Sequence, residues 1–228
     1  MPRVGRKAPG GVIYHVINRG NGRQKLFHKP ADYDAFVALL RGVAAVVPVK
    51  ILAYCLMPNH WHLVLLPPGD GDLSKFMLRL TTTHVRRYFA HYHRSAGGHL
   101  YQGRFKSFAV QEDDEAHLLV LLRYVESNAL RARLVRDPAQ WKWCSFAARQ
   151  TAAGMKLLSA WPIERPRNWA KLLAERLPEK EAEALRVSVR RGRPFGSPDW
   201  VERTARRLGL DFTLRPRGRP RTAGERRK

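Results

Sequence analysis

Two histidines separated by a single residue are the side chains of this sequence best suited to hold a metal ion. Side chains alternate between the two faces of a β-strand, so His60 and His62 would share one face and Trp61 would point to the other. Two neighbouring imidazoles on a rigid strand can bind one divalent ion. Two unrelated histidines at the end of a strand are the alternative interpretation.

A tyrosine and an asparagine lie four residues apart in a segment whose apolar residues have helical spacing. On a continuous helix, Tyr124 and Asn128 would project from one face. If that face meets the two histidines, Asn128 would complete a His-His-Asn set of metal ligands, and Tyr124 would stand beside the ion. His117, seven residues before Tyr124, is an alternative third ligand. In the other interpretation, Tyr124 is an aromatic at the edge of the core and Asn128 is a helix cap.

Together these groups could cleave a phosphodiester bond. A divalent ion, Mg²⁺ or Mn²⁺, would polarise the scissile phosphate and neutralise the charge that develops on it. The tyrosine hydroxyl would attack phosphorus and form a covalent phosphotyrosine, which divides one difficult step into two easier ones. Because a neutral phenol is a weak nucleophile, the metal or a nearby base would have to assist it.

The order of strands and helices along the chain decides whether these side chains can meet. Patterns of β-branched and apolar residues predict strands at 11–18, 49–57, 60–66 and 106–111. Helical spacing predicts helices at 30–47, 73–93 and 116–132. The order βαββαβα favours an α+β fold, a two-layer ferredoxin-like or RRM-like sandwich with an antiparallel sheet.

The composition of the chain changes beyond this unit. We expect a first domain at 1–150, a basic helical extension at 151–214 with short amphipathic helices at 169–191 and 200–208, and an Arg-rich tail at 215–228. No run of apolar residues approaches the ~18 that a membrane-spanning helix needs. Cys55 and Cys144 are the only cysteines, which fits a reducing cytoplasm.

The charge of the chain indicates a polyanionic partner. Its 228 residues include 42 Lys and Arg against 19 Asp and Glu, a formal net charge of +23, and nucleic acid is the usual partner of so basic a protein. Arg104, Phe105 and Lys106 combine phosphate contact with base stacking, although they could also anchor a loop to the core. Arg217 and Arg219 lie in an Arg-Gly-Arg-Pro string like that of minor-groove hooks, so we expect them to tether DNA nonspecifically.

Four segments resemble motifs of the single-tyrosine HUH transposases and occur in the order found in that family. They are YHVINRGN at 14–21, MPNHWHLVL at 57–65, YQGRFKS at 101–107 and RYVESNALRA at 123–132. Within this family, the chain is most similar to the REP-associated tyrosine transposases, which act on hairpin-forming repetitive extragenic palindromes. The resemblance covers about 11–150.

The resemblance implies a role for each candidate residue. His60 and His62 would be metal ligands, Tyr124 the nucleophile and Asn128 the third ligand. Arg19 is a further candidate contact to DNA. The resemblance also implies hairpin-forming single-stranded DNA as substrate, a 5′-phosphotyrosine intermediate and a free 3′ hydroxyl. The sequence departs from the family in Ala129, which stands where these enzymes usually have proline. Related insertion-sequence enzymes often have glutamine where Asn128 stands.

The same fold and charge also fit a different class of protein. A non-catalytic regulator that binds hairpin DNA or structured RNA would need neither a metal nor a nucleophile. A larger relaxase or replication initiator is disfavoured by the size of the chain and by the lack of a P-loop. The sequence leaves open whether the protein is a monomer or a homodimer, and we expect it in the cytoplasm, associated with the nucleoid.

Overall fold

A single antiparallel sheet forms the centre of the molecule. The structure, a computed structural model, describes residues 7–92 and 98–215. The strands are β1 (Ile13–Arg19), β2 (Lys50–Met57), β3 (His60–Leu66) and β4 (Lys106–Val110). Their order across the sheet is β2-β3-β1-β4, and every neighbouring pair is antiparallel. All four predicted strands are confirmed, with ends that differ by one or two residues.

The helices follow the predicted order, with further short helices near the C-terminal end. They are α1 (Pro30–Val46), α2 (Asp72–Tyr92), α3 (Glu115–Glu126), α4 (Asn128–Arg131), α5 (Ser145–Ala148), α6 (Ala152–Leu157), α7 (Trp169–Ala174), α8 (Glu179–Arg191) and α9 (Pro198–Leu208). Single 3-10 turns lie at Asn21–Arg23, Pro138–Gln140 and Asp211–Thr213. The unit β1-α1-β2-β3-α2-β4 with this strand order has the ferredoxin-like arrangement, which confirms the predicted α+β fold.

Helices α1 and α2 cover the face of the sheet toward which Trp61 points. Trp61 is fully buried there, and its indole N–H donates to the hydroxyl of Tyr101 at 3.1 Å. The same hydroxyl lies 2.5 Å from Nδ1 of His84 on α2. Replacing a buried tryptophan by alanine typically costs 3–5 kcal/mol. Trp61 therefore fixes β3 firmly against α2, and with it the two histidines on the opposite face.

Helix α3 covers the second face of the sheet. The carboxylate of Asp114 caps its first turn by accepting hydrogen bonds from the backbone N–H groups of Ala116 and His117. Its apolar stripe includes Leu118, Leu122 and Val125, which are fully buried. The predicted two-layer sandwich thus describes the sheet with α1 and α2, while α3, α7 and α8 add a layer on the other side.

The helix predicted at 116–132 is not continuous. Helix α3 ends at Glu126, Ser127 has φ −88° and ψ 1°, and α4 begins at Asn128. The side-chain amide of Asn128 donates to the carbonyls of Tyr124 and Val125 at 2.8 and 3.3 Å. Asparagine readily competes with the backbone for such carbonyls, so its side chain satisfies the last turn of α3 and favours the break.

Segments that follow α4 in the chain pack against both edges of the sheet. Phe195 pairs with β4 through hydrogen bonds from its N–H to the carbonyl of Ala109 and from the N–H of Gln111 to its own carbonyl. Along β2, the carbonyl of Leu56 accepts from the indole of Trp141, and the N–H of Leu56 donates to the carbonyl of Trp143. The carbonyl of Leu52 accepts from the Trp161 indole and the Arg149 guanidinium.

The segment predicted to be helical at 169–191 is divided into α7 and α8 just before Glu179, because Pro178 disfavours helical structure in the residue before it. The segment predicted at 200–208 is confirmed within α9. Arg217, Arg219 and the predicted tail beyond Arg215 lie outside the described residues. Within the part of the chain that the structure covers, no helix has the length and apolar character needed to cross a membrane.

Candidate active site

The two histidines of the HxH motif lie side by side on the α3 face of the sheet, as their spacing predicts. The ring centroids of His60 and His62 are 5.0 Å apart. Nδ1 of His60 lies 2.7 Å from Oδ1 of Asn59, and Nδ1 of His62 lies 2.9 Å from Nε2 of His15. Because both Nδ1 atoms are engaged, Nε2 is the nitrogen that each ring has left for an ion.

Burial keeps these imidazoles uncharged. It lowers the pKa of His60 to about 4, with a further contribution from the positive charge of Arg19. Burial holds the pKa of His62 well below its usual range, and the neighbouring His60 and His15 act in the same direction. Only the neutral imidazole offers a lone pair to a metal ion. Both nitrogens are therefore in the binding form at neutral pH.

His15 on β1 lies next to His62 and is hydrogen-bonded to it. Its side chain is fully buried, with its ring 4.8 Å from that of Phe108, and its Nδ1 has no hydrogen-bond partner among the described residues. The hydrogen bond between Nε2 of His15 and Nδ1 of His62 fixes the orientation of the His62 ring, as partners of metal-binding histidines commonly do. The sequence places His15 only near the site, because its partner depends on the register between β1 and β3.

Tyr124 reaches this cluster from α3. Its ring lies edge-on to that of His62, with 5.8 Å between the centroids, and to that of His15 at 6.3 Å. The guanidinium of Arg131 lies 4.6 Å from the centroid of the Tyr124 ring. The ring is 9% exposed, and its hydroxyl makes no hydrogen bond to the described residues. The structure thus brings together His60, His62 and Tyr124.

The candidates for a third metal ligand are placed differently. Asn128 uses its amide nitrogen to cap α3, which leaves Oδ1 as its only possible ligand atom, and no hydrogen bond joins it to either histidine. His117 lies beside Asp114 and packs on Phe195, and its contacts among the described residues include neither His60 nor His62. Across the described residues, no group of three His, Cys, Asp or Glu side chains could hold a metal.

Two arginines give the site a positive charge. Arg19 pairs with His60 across β1 and β3, and its Nε is buried without a hydrogen-bond partner in the described part of the chain. Arg131 and Arg19 both lower the pKa of His62, which places their charges close to it. Guanidinium groups suit phosphate oxygens in charge and shape. Arg131 was missed from the sequence, although it follows Tyr124 by about two helical turns.

The predicted DNA contacts at the start of β4 lie to one side of this cluster. Arg104 and Lys106 are exposed and flank the half-buried Phe105. Lys106 faces Ile17 on β1, and Ile17 faces His62 on β3, so the three side chains share one face of the sheet. Two strand spacings separate Lys106 from His62, roughly 10 Å.

Acid should destabilise the protein through His15. Burial lowers the pKa of His15 to about 3, so the unfolded chain binds the proton first, and stability present above pH ~6.5 is lost as the pH falls toward the folded value. Between pH ~7 and pH ~5, His15 should lower the free energy of unfolding by about 2 kcal/mol. Between the same two pH values, the free energy of unfolding of His15→Gln and of His15→Leu should fall by about 2 kcal/mol less than that of the wild type. Urea unfolding at the two pH values checks this, and variants that fall in parallel with the wild type would refute it.

Comparisons with known proteins find a family and a similar fold. Residues 10–128, slightly more than half of the chain, match the family model described as "Transposase IS200 like". The structure of a REP-associated tyrosine transposase bound to a REP hairpin matches with a TM-score of 0.51 and 19% identity, covering 78% of this chain and 99% of that one. A candidate transposase from Deinococcus radiodurans R1 matches with a TM-score of 0.39 and 22% identity, over 54% of this chain and 97% of that one. No curated protein matches significantly.

Proposed function

The chain belongs to the IS200-like transposase family, and from that premise we propose that it cuts and transfers single-stranded DNA with Tyr124 as the nucleophile. The observation that carries this proposal is the position of Tyr124, whose ring lies 5.8 Å from that of His62 on the face shared with His60. A phenol, two neutral imidazoles and two guanidiniums are groups that can cleave a phosphodiester through a covalent intermediate.

His60 and His62 would hold a divalent ion, Mg²⁺ or Mn²⁺, through their Nε2 atoms. The fit rests on their hydrogen bonds, which engage both Nδ1 atoms, and on the low pKa values that keep both rings neutral. When bound, the ion would polarise the scissile phosphate and neutralise its developing charge. Asn128 is the proposed third ligand through Oδ1, because its amide nitrogen caps α3.

The reaction follows from the groups that the chain itself provides. The hydroxyl oxygen of Tyr124 forms a bond to phosphorus, the bond from phosphorus to the 3′ oxygen breaks, and that oxygen leaves as a 3′ hydroxyl. The phenolic proton passes to solvent or to the leaving oxygen. The guanidiniums of Arg19 and Arg131 would hold the phosphate against the tyrosine while this happens.

Hairpin-forming DNA is the proposed substrate. The structurally similar REP-associated transposase was solved bound to a REP hairpin, and the excess of positive charge on this chain suits a nucleic acid. A regulator that binds hairpin DNA or RNA without cutting it is the competing function. It shares the fold and the charge, but it gives no reason for a tyrosine to stand beside two metal-competent histidines.

A covalent-trapping experiment tests the proposal. The protein is mixed with hairpin oligonucleotides labelled at either the 5′ or the 3′ end, in Mn²⁺, Mg²⁺ or a chelator, and separated under denaturing conditions. We expect a shifted band that requires metal and retains only the label lying 3′ of the cut. Binding without an adduct, across several hairpins and both metals, would favour the regulator.

Arg131 should speed the covalent step rather than the binding of DNA. Arg131→Ala removes the guanidinium that stacks on Tyr124, and we expect adduct formation to slow about 10²- to 10³-fold, the range typical for losing one group that stabilises the developing charge. Single-turnover rates at saturating DNA check this. Arg136→Ala, which removes another exposed arginine of the same region, should keep the wild-type rate. Equal rates for the two variants would show that Arg131 does not take part in the covalent step.

A further inference from the structure

A basic groove lies between the start of β4 and the end of the extension. We call it the edge groove. It has a volume of about 640 Å³, and its lining includes Lys7, Arg104, Lys106, Arg190, Arg191 and Phe212. It is distinct from the cluster around Tyr124, since none of His60, His62, Tyr124 or Asn128 lines it. The first domain and the extension build it jointly.

The charges in the edge groove favour an anionic ligand. No aspartate or glutamate is among its lining residues. Arg104 and Lys106 are exposed and form no ion pair with any carboxylate in the described part of the chain. Arg190 is paired with Glu183 outside the lining, but such exposed pairs are weak, about 0–1 kcal/mol, and yield easily to a phosphate.

Phe212 adds an aromatic surface to this charge. Its side chain is 63% exposed, which is unusual for a phenylalanine in a folded region. The guanidinium of Arg191 donates to the carbonyls of Phe212 and Arg215 and so holds the segment that carries the ring. Gly192 follows α8 in the left-handed conformation, φ 71°, and lies beside Ser107, which brings the end of α8 against β4. These contacts hold the backbone that carries the exposed ring.

We propose that the edge groove binds an unpaired stretch of the DNA substrate, with phosphates on its cations and a base stacked on Phe212. The inference rests on the proposed function, since it extends the path of the strand that Tyr124 would cut. Lys106 links the two regions, because it lies in the groove and on the same sheet face as His62. An unpaired strand offers both phosphates and open base faces, whereas a duplex keeps its bases stacked inside.

Binding measurements in a cleavage-dead background test the proposal independently of the chemistry. In Tyr124→Phe protein with a chelator, fluorescence anisotropy follows a labelled single strand of about 12 nucleotides and the blunt duplex of the same sequence. Phe212→Ala should weaken binding of the single strand about 5- to 10-fold and leave the duplex unchanged. Phe212→Trp should retain the wild-type affinity, because it keeps a stacking surface.

The salt dependence of binding tests the cations of the edge groove. Arg104→Ala combined with Lys106→Ala should weaken single-strand binding about 10-fold and reduce the slope of log K against log salt by about 1.4, since each lost phosphate contact contributes about 0.7 for a single strand. Lys50→Ala is the matched control, because Lys50 is exposed at the start of the opposite edge strand.

Each result has a definite meaning. Selective loss of single-strand binding in the groove variants, with Lys50→Ala unchanged, supports the proposal even if Tyr124 proves inactive. Equal losses on single strand and duplex would overturn it in favour of a duplex site. Unchanged affinity in the groove variants would overturn it as well, and would leave the proposed cleavage by Tyr124 untouched.

Discussion

Replacing Tyr124 by phenylalanine should abolish the covalent protein–DNA adduct while leaving the fold and the affinity for DNA unchanged. The substitution removes only the hydroxyl, which makes no hydrogen bond to the described residues, and it keeps the ring that packs on His62 and under Arg131. Losing the nucleophile of a covalent mechanism typically costs at least about 10³-fold in rate. We therefore expect no adduct in the trapping experiment and an unchanged midpoint of urea unfolding.

A matched tyrosine separates this effect from a general loss of function. Tyr92 lies on α2, on the other side of the sheet, and its hydroxyl is hydrogen-bonded to Asp32. Tyr92→Phe should form the adduct at the wild-type rate. If Tyr124→Phe still forms an adduct with metal present, another residue is the nucleophile and the proposed chemistry fails.

Replacing His60 by alanine should remove the metal dependence of the reaction together with most of its rate. The change deletes one of the two nitrogens proposed to hold the ion, and a loss of about 10²- to 10⁴-fold is reasonable for a reaction that relies on a metal to neutralise a phosphate. His60 is the cleaner choice, since its Nδ1 partner Asn59 is only partly buried. His62→Ala would in addition leave His15 without its hydrogen bond, at a cost of about 1–3 kcal/mol in stability.

The chain contains a natural control for the histidine substitution. His91 belongs to a second HxH spacing, whose other histidine, His93, lies outside the described residues. His91 itself is on α2, where its side chain contacts Lys29. His91→Ala should retain wild-type activity. Calorimetric titration with Mn²⁺ provides a readout apart from turnover, in which His60→Ala should lose binding that His91→Ala keeps. Retained Mn²⁺ binding by His60→Ala would contradict the proposed site.

Strand periodicity predicted the positions of site residues more reliably than helix periodicity did. A period of two places His60 and His62 on one face whatever the rest of the fold does, and the structure agrees. The relation between Tyr124 and Asn128 assumed an unbroken helix, and it failed locally at Ser127 because the Asn128 side chain caps the preceding turn. Local hydrogen bonding of this kind leaves no trace in an apolar pattern.

Contacts between distant segments lay beyond what the sequence could predict. The bond from His15 to His62 joins residues 47 positions apart and requires the register of β1 on β3. The stacking of Arg131 on Tyr124 depends on the direction in which α4 leaves the break. Phe212 and Arg104 share a groove only because the extension pairs with β4 through Phe195. In each case tertiary packing, rather than local propensity, decides the neighbour.

The hydrogen bonds along the two outer strands also bear on how this molecule can assemble. Outer strands normally present unpaired backbone groups that recruit strands of other molecules. Here the backbone of Phe195 is hydrogen-bonded to the outer edge of β4, where a strand of another molecule could otherwise pair. On β2, the carbonyls of Leu52 and Leu56 already accept side-chain donors from the same chain. While these contacts are in place, a second copy cannot add a strand at these positions. Removing the extension would uncover β4 and invite aggregation by strand addition.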